Sequence, residues 1–256
     1  MLLTIDIGNT NIHFGIHDGS SWCCNWRART IHNKMADEYA MLLRTFFNEA
    51  GLSFKDIDAV AMACVVPPLR GTFIEICERY IGKMPLLVGP GIKTGLKILI
   101  DNPHEVGADR VVNAVAARQF YGGPAIVVDF GTSTNYDVLN ADGDYIGGSL
   151  SPGIGLAHDA LVNRAARLFK VDLVPPPNAI GRNTVHALQS GLFLGYLGMI
   201  EGIVSRIKAE LDHPQVKVIG TGGLAPLFSE HTDVLEEIMP NLTLEGLRII
   251  WELNQA

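Results

Sequence analysis

Short apolar runs broken by glycine and polar residues follow one another along the chain, and the same succession of runs occurs twice. In the first half, LLTIDIG, NIHFGIH and WCCNWRA each predict a β-strand, and HDG predicts a hairpin turn. In the second half, AIVVDFG, TNYDVLN and DYIGGSL predict three strands in the same way, with ADG as the turn. Asp129 follows Asp6 by 123 positions, close to half the chain. The pattern therefore predicts an internal duplication of a three-stranded meander.

Alternating elements are predicted after each meander. In the first half they are a helix near 37–50, a strand at 59–66, a helix at 68–81 and a strand at 85–89. In the second half they are a helix around 156–169, a proline loop at 174–178, a long helix from about Thr184, a strand at 216–220 and a helix after TGG. Each half thus predicts a mixed sheet flanked by helices.

A helix over 102–120 joins the two halves. Asn102 is suited to cap it, Pro103 to occupy its first turn, and Glu105 to act as the capping-box acid. We set the domain boundary near Ala117, which gives an N-terminal domain at 1–117 and a C-terminal domain at 118–256. The last helix has the further option of packing back on the first domain.

Composition limits the classes of partner and compartment. The 256 residues are 48% hydrophobic and 18% charged, enough for a packed core, and the net charge of -7 argues against nucleic-acid and anionic-membrane binding. The four cysteines lack metal-ligand spacing, and Cys23 and Cys24 are adjacent, which suits reduced thiols. The apolar stretch LFLGYLGMIEGIVSR carries Glu201 and predicts a buried helix rather than a membrane span. We therefore expect a cytoplasmic protein.

The two Asp-x-Gly turns are the first candidate site. A strand that ends in this motif turns sharply and exposes backbone N–H groups and a hydroxyl, which together suit phosphate oxygens. Asp6 would offer a carboxylate to hydrated Mg²⁺, and two opposed turns would hold a polyphosphate from both sides. The alternative is a pair of tight hairpins capped by Asp and Thr side chains.

Glycines mark two further regions. Gly220, Gly222 and Gly223 lie between a predicted strand and a helix, where they would allow a base or ribose to approach, or form an ordinary connection. In the long helix, glycines recur on one face at intervals of four, three and four; these are Gly191, Gly195, Gly198 and Gly202. Another element must approach that face closely, either a neighbouring helix of the same subunit or, as we favour, the twin helix of a dimer.

Seven motifs, taken in order, resemble the type III pantothenate kinases, a family of the sugar kinase and actin superfamily. They are DIGNTN at 6–11, DNPHEVGADR at 101–110, DFGTSTNYD at 129–137, GGSLSPGI at 147–154, GRNT at 181–184, GTGGLA at 220–225 and LTLEGL at 242–247. The resemblance covers essentially the whole chain. It implies an α/β fold of two ribonuclease H-like domains with a nucleotide cleft between them.

The resemblance also implies an activity. This is transfer of the γ-phosphate of ATP to the primary hydroxyl of pantothenate, which yields 4'-phosphopantothenate in the first step of coenzyme A biosynthesis. It implies Mg²⁺, a monovalent cation that is K⁺ or NH₄⁺, and a homodimer whose pantothenate pocket both subunits share. Phosphoryl transfer needs alignment and charge neutralisation above all, which a two-sided clamp with cations supplies.

Residue roles are carried over by position. Asp109 would be the general base, Asp129 the monovalent-cation ligand, and Asp6 the carboxylate oriented toward Mg²⁺. The ATP-binding residues would be Asp6, Ile7, Gly8, Asn9, Thr10, Asn11, Ile12, His13, Gly131, Thr132, Gly222 and Gly223. The pantothenate-binding residues would be Gly107, Ala108, Asp109, Arg110 and Thr184, with Thr184 from the other subunit.

Two positions depart from the family, and two other functions compete. Ser133 stands where the family commonly has alanine, and Ile100 stands where some members have a tyrosine that contacts pantothenate. One alternative is a catalytically silent nucleotide-binding regulatory protein of the same family. Such a protein could lose the acid at Asp109 or Asp129, and both are present. A different sugar kinase or phosphatase on the same scaffold is the other, which GADR and GRNT disfavour through resemblance.

Overall fold

Two five-stranded mixed sheets, each within its own compact unit, carry the fold of the computed structural model, which describes residues 1–255. The strands are β1 Leu2–Ile7, β2 Asn11–His17, β3 Trp22–Arg29, β4 Ala59–Cys64, β5 Leu86–Leu87, β6 Ala125–Phe130, β7 Ser133–Leu139, β8 Tyr145–Pro152, β9 Lys217–Gly222 and β10 Glu237–Ile238. The α-helices are α1 Ala36–Glu49, α2 Pro67–Ile76, α3 Ala108–Tyr121, α4 Ile154–Arg164, α5 Thr184–Leu211, α6 Ala225–Ser229 and α7 Leu242–Leu253.

The two sheets repeat one topology. The strand order is β3-β2-β1-β4-β5 in one sheet and β8-β7-β6-β9-β10 in the other. In each, the first three strands pair antiparallel, and the last two run parallel to the central strand, β1 or β6. The predicted α/β architecture and the duplicated meander are therefore confirmed.

The first unit is built from both ends of the chain. It comprises Met1–Phe120 and Asn241–Ala256, while the second unit is the continuous stretch Tyr121–Pro240. Helix α7 joins the first unit: the indole N–H of Trp22 donates to Glu245 over 2.6 Å, and a Cβ on Gly246 would lie 2.0 Å from the carbonyl oxygen of Val112. The sequence-based boundary near Ala117 falls inside α3, three residues before this division.

Alternation along the strands builds the core of the first unit. The odd-numbered side chains of β1 and the even-numbered side chains of β2 point to the face covered by α1 and α2, where the ring of Phe14 packs at a tilt against the rings of Phe46 and Phe73. The opposite face of β1 carries Thr4 and Asp6, and α7 packs on that side of the unit. The sheet is thus covered on both faces, and Asp6 lies on the α7 face.

Helix α5 forms the core of the second unit with β6 and β7. Phe193, Tyr196, Ile200 and Val204 lie at helical spacing and pack with the apolar residues of the sheet. Within residues 1–255, α5 is the one helix that is long and apolar enough, by length and composition alone, to cross a membrane. One stripe of the helix is buried in the core of the second unit, as the sequence predicted, while 39% of its most apolar stretch is buried in all.

Several predicted boundaries differ from the structure. The joining helix is interrupted: a 3-10 turn at Pro103–Glu105 is followed by extended Val106, and α3 starts only at Ala108. Asn102 nevertheless caps that turn, accepting a hydrogen bond from the His104 N–H over 3.4 Å. The helix predicted at 68–81 consists of α2 and a π-helical turn at Cys77–Ile81, and the helix predicted to 169 ends at Arg164. Strand β10 was missed.

Candidate active site

The turn after β1 closes on itself. The last paired positions of the hairpin are Ile7 and Ile12, and the Gly8 N–H donates to the Asn11 carbonyl over 3.1 Å. Asn9, Thr10 and Asn11 are exposed, so they are the residues of this turn that can contact a ligand with their side chains. Asp6 lies at the end of β1, and its Oδ1 atom is buried.

Three predicted ATP-binding residues near this turn are buried. The side chains of Ile7 and Ile12 belong to the core, where they leave only backbone groups for a ligand. His13 is 5% exposed, and its Nε2 pairs with Oδ1 of Asn25 over 3.3 Å. Burial, helped by the nearby charge of Arg27, lowers the pKa of His13 to about 4. His13 is therefore a neutral residue of the sheet.

Thr30, which follows β3, ties the first turn to the sheet. Its N–H donates to the carbonyl of Thr10 over 2.9 Å. Its hydroxyl donates to the carbonyl of Gly8 over 2.6 Å, and the residue is buried. Two hydrogen bonds from one residue thus set the path of the exposed segment.

The turn after β6 also joins two antiparallel strands, but a different backbone hydrogen bond closes it. Phe130 pairs with Thr134, and the Gly131 N–H donates to the Ser133 carbonyl over 3.0 Å. Gly131 and Thr132 are exposed. Gly153, which follows β8, donates its N–H to the Thr132 carbonyl over 3.1 Å.

Gly153 has no room for a side chain. A Cβ there would lie 2.5 Å from the Thr132 carbonyl oxygen and 2.6 Å from that of Gly131. Since both obstacles are backbone atoms, a larger residue would displace the turn. Thr30 and Gly153 therefore have equivalent roles, one in each unit.

Asp129 and the predicted glycine Gly222 lie together at the end of β6. Asp129 pairs with Thr221 of β9, and a Cβ on Gly222 would lie 2.7 Å from Oδ1 of Asp129. Gly222 has φ +89, and it ends β9 instead of lying in the loop that the sequence predicted. Gly220 is inside the strand against Ile238, while Gly223 is exposed. Of this glycine group, only Gly222 and Gly223 remain candidates for contact with ATP.

The GADR motif forms the start of α3 in the first unit. Oδ1 of Asp109 accepts a hydrogen bond from the Arg110 N–H over 2.9 Å. A Cβ on Gly107 would lie 2.5 Å from the same oxygen, so this glycine leaves room for the carboxylate. Burial raises the pKa of the Asp109 carboxyl above its usual range, against the lowering effect of Arg110. Ala108 and Arg110 are half-buried beside it.

The GRNT motif forms the start of α5 in the second unit. Asn183 caps the helix, accepting a hydrogen bond from the His186 N–H over 2.9 Å, and Thr184 is the exposed first residue. A Cβ on Gly181 would lie 2.2 Å from the Ala187 nitrogen. The loop therefore packs tightly on the first turn of the helix and presents Thr184 outward.

The donor set suits hard cations that are held by few protein ligands. Among residues 1–255, no three His, Cys, Asp or Glu side chains cluster as a metal site. Mg²⁺ in phosphoryl-transfer sites takes one or two carboxylates and completes its shell with water and phosphate oxygens. Asp6 and Asp129, each beside an exposed turn with backbone donors, fit that requirement.

Solved structures share this fold. A Campylobacter jejuni protein assigned to the Baf family of transcriptional activators superposes with a TM-score of 0.63 at 20% identity, covering 99% of this chain and 98% of that one. The inorganic polyphosphate/ATP-glucomannokinase of Arthrobacter sp. strain KM superposes with a TM-score of 0.51 at 14% identity, covering 99% and 98%. With the repeated sheet order, these likenesses define a protein of the sugar kinase and actin fold.

Sequence comparisons define the family. A family model for type III pantothenate kinase matches residues 2–206. The chain is 49% identical over 256 residues to a type III pantothenate kinase of Roseiflexus sp. strain RS-1, and 50% identical over 255 residues to one of Anaeromyxobacter sp. strain K, with 100% of each chain covered. The chain belongs to the type III pantothenate kinase family and is a kinase.

Proposed function

We propose that this enzyme transfers the γ-phosphate of ATP to the primary hydroxyl of pantothenate, giving 4'-phosphopantothenate. The observation that carries the proposal is the pair of carboxylate turns, at Asp6 and Asp129, in a chain that belongs to this kinase family. The exposed residues Asn9–Asn11 and Thr132 offer backbone N–H groups and hydroxyls to phosphate oxygens. The roles of these residues remain predictions.

Asp109 is proposed as the general base. It would accept the proton of the pantothenate hydroxyl as that oxygen attacks the γ-phosphorus, while ADP leaves. Burial raises its pKa, which makes the carboxylate a stronger base than an exposed aspartate. The Arg110 N–H holds one oxygen, and Gly107 keeps the space beside it free.

Two cations are proposed beside ATP. Asp6 would hold Mg²⁺, and Asp129 would hold K⁺ or NH₄⁺. When bound, these cations would neutralise phosphate charge. The chain itself contributes two carboxylates at the ends of β1 and β6, and Gly222 leaves space beside Asp129.

A homodimer is proposed to complete the pantothenate site. A Cβ on Gly191, Gly195 or Gly198 would meet nothing within 4 Å in the described chain, so the neighbouring helix of the same subunit that the sequence allowed does not cover this face. Leu194, on the same helix, is 38% exposed. The twin helix of a second subunit would cover the glycine face and Leu194. Thr184, at the start of α5, would then reach the substrate of the partner subunit. There Thr184 and Arg110 would bind the pantothenate carboxylate.

The acidic composition supports a protein that binds small molecules without nucleic acid or membrane, and we place it in the cytoplasm. A silent regulatory protein is disfavoured. The likeness to the Baf-family protein is one of fold, whereas relatives about half identical in sequence are kinases.

The decisive experiment measures ADP release by purified protein with ATP, Mg²⁺ and K⁺, with and without pantothenate, and with a panel of sugars as alternative acceptors. We expect release that depends on pantothenate. Release with a sugar alone would assign another acceptor, and ATP binding without any release would favour the regulatory function.

A variant tests the base. Asp109→Asn should lower kcat by about 10²- to 10⁴-fold while ATP still binds. The acidic limb of the wild-type profile of kcat/KM should lie above pH 3.8, the ordinary pKa of this carboxyl, because burial raises the value. An undiminished rate in the variant would remove Asp109 from this role.

A further inference from the structure

Two polar residues of the second sheet, Ser133 and Asn135, have no role in the proposed reaction. Asn135 on β7 lies directly opposite Asp129 on β6 in the antiparallel pair. Residues that face each other in this way project from the same face of the sheet with Cβ atoms about 5 Å apart. The Asn135 side chain is therefore within reach of the Asp129 carboxylate.

Ser133 determines how the Asn135 amide is turned. The Ser133 hydroxyl donates to Oδ1 of Asn135 over 2.8 Å. A primary amide has its acceptor and its two donors at opposite ends, so fixing Oδ1 toward Ser133 leaves the Nδ2 donors directed away from it. Asn135 is 9% exposed, and Nδ2 donates to no acceptor among residues 1–255. The chain thus holds an oriented donor next to an aspartate.

The first sheet repeats this arrangement with different residues. His13 lies directly opposite Asp6, is buried, and is held by a third polar group, the Asn25 side chain, over 3.3 Å. In both units the aspartate at the end of the central strand faces a buried polar side chain whose orientation is set by a neighbour on the sheet. Its recurrence in the duplicated frame points to a role connected with the aspartates.

We propose that Asn135 is a positioning residue for Asp129, and that Ser133 selects the amide orientation in which N–H groups, and not the carbonyl oxygen, face the carboxylate. The inference rests on the proposed role of Asp129 as ligand of the monovalent cation. With the cation bound, an Asn135 N–H that donated to one Asp129 oxygen would leave the other oxygen directed at the cation, whereas an amide oxygen facing the carboxylate would repel it. The serine at position 133 thereby tunes the affinity for K⁺.

The test is the KCl concentration that gives half-maximal activity, with ionic strength held constant by a large organic cation. Asn135→Ala should raise it about tenfold, since a hydrogen bond to a charged group is lost. Ser133→Ala should raise it about threefold, because only the orienting bond is lost. The double variant should match Asn135→Ala alone, because Ser133 acts through Asn135.

Two controls separate positioning from structure. Ser149→Ala removes a half-buried hydroxyl from β8, on the opposite face of the same sheet, and should leave the K⁺ midpoint unchanged. The rise in melting temperature with added KCl, measured with ATP and without pantothenate, should shift to higher KCl in the two site variants, so that binding is observed without turnover. If Asn135→Ala did not fold, Ser133→Ala would decide alone.

The outcomes are distinguishable. If the wild-type enzyme depends on K⁺ and both variants need the same KCl concentration for half-maximal activity as the wild type, the positioning role is overturned and the proposed function stays intact. Additive effects in the double variant overturn the claim that Ser133 acts through Asn135. A wild type indifferent to K⁺ removes the cation role of Asp129 and this inference together, while pantothenate-dependent ADP release still tests the kinase.

Discussion

The turn after β1 leaves four residues between the last paired positions, Ile7 and Ile12, whereas the turn after β6 leaves three, between Phe130 and Thr134. Both follow an aspartate at the end of the central strand of a sheet with the same strand order. The frame therefore fixes where each carboxylate lies, and the turn is free to differ in length. The two units thus share one strand frame and differ in the turn that follows the aspartate.

Closure of the two turns differs as well. Thr30 holds the first with a backbone and a hydroxyl hydrogen bond, whereas Gly153 holds the second with a backbone hydrogen bond alone and has no room for a Cβ. The residue opposite the aspartate is His13 in the first sheet and Asn135 in the second. The same backbone frame thus carries different side chains beside its two aspartates, which accords with the different cations, Mg²⁺ and K⁺ or NH₄⁺, that we propose for them.

The largest expected effect comes from exchanging each aspartate for its amide. Asp6→Asn and Asp129→Asn should each lower activity by about 10²- to 10³-fold, because each removes a carboxylate that we propose holds a cation beside the ATP phosphates. The first should raise the Mg²⁺ requirement and the second should abolish activation by K⁺. Activity titrated with each salt checks this, and an identical salt response in both variants would contradict the division of roles.

His13→Asn places opposite Asp6 the same residue type, asparagine, that lies opposite Asp129 in the second sheet. The pKa of His13 is about 4 in the folded protein and about 6.5 in the unfolded chain. Between pH 4 and pH 6.5, the unfolded chain therefore binds a proton at this residue that the folded protein does not bind. Stability should therefore fall as pH drops from 6.5 to 4, by up to about 3 kcal/mol. The variant should have a flatter curve of unfolding free energy against pH, measured by urea denaturation. Equal slopes would show that His13 is accessible to protons in the fold.

Gly153→Ala should displace the second turn. The added methyl would meet two backbone oxygens, which we expect to cost roughly 1–3 kcal/mol and to weaken ATP binding. Gly155→Ala is the matched control, because a Cβ there meets nothing within 4 Å and the residue lies in α4. Calorimetric ATP affinities and melting temperatures of both variants check this. A fully active, stable Gly153→Ala protein would contradict the tight closure.

Thr30→Val should have the smallest effect. Loss of the hydroxyl bond to Gly8 should cost about 1 kcal/mol of stability and raise the KM for ATP a few-fold. Thr4→Val removes a comparable buried hydroxyl bond, to Gly15, within the same sheet but away from the turn. Its stability should fall similarly with an unchanged KM. Equal KM values in the two variants would mean that Thr30 has only a structural role.

Local patterns predicted the duplicated meander and the start of α5, because strand alternation and helix capping depend on residues that are close together in the sequence. They did not separate the 3-10 turn from α3, since the extended backbone of Val106 interrupts a sequence that is otherwise suited to a continuous helix. They also missed Thr30 and Gly153. Each lies some twenty residues from the turn that it holds, and only the pairing of strands brings it there.

Residues of the candidate site were predicted unevenly for the same reason. Asp6, Asp129 and Asp109 follow from motifs. Whether Ile7 and Ile12 can touch a ligand depends on which face of the sheet the core occupies, and the core takes both side chains. The sequence shows Asn135 only as a residue of a predicted strand. The strand pairing is needed to show that it lies opposite Asp129.

Because the first unit takes its last helix from the C-terminus, its assembly on the ribosome cannot follow chain order. Tyr121–Pro240 is continuous and can fold once it has emerged, whereas the sheet that begins with β1 lacks its α7 cover until Leu242–Leu253 has been made. Until then the β1 face that α7 covers stays open to solvent and to other nascent chains. The unit whose strands are synthesised first is therefore completed only after the whole of the second unit has been made.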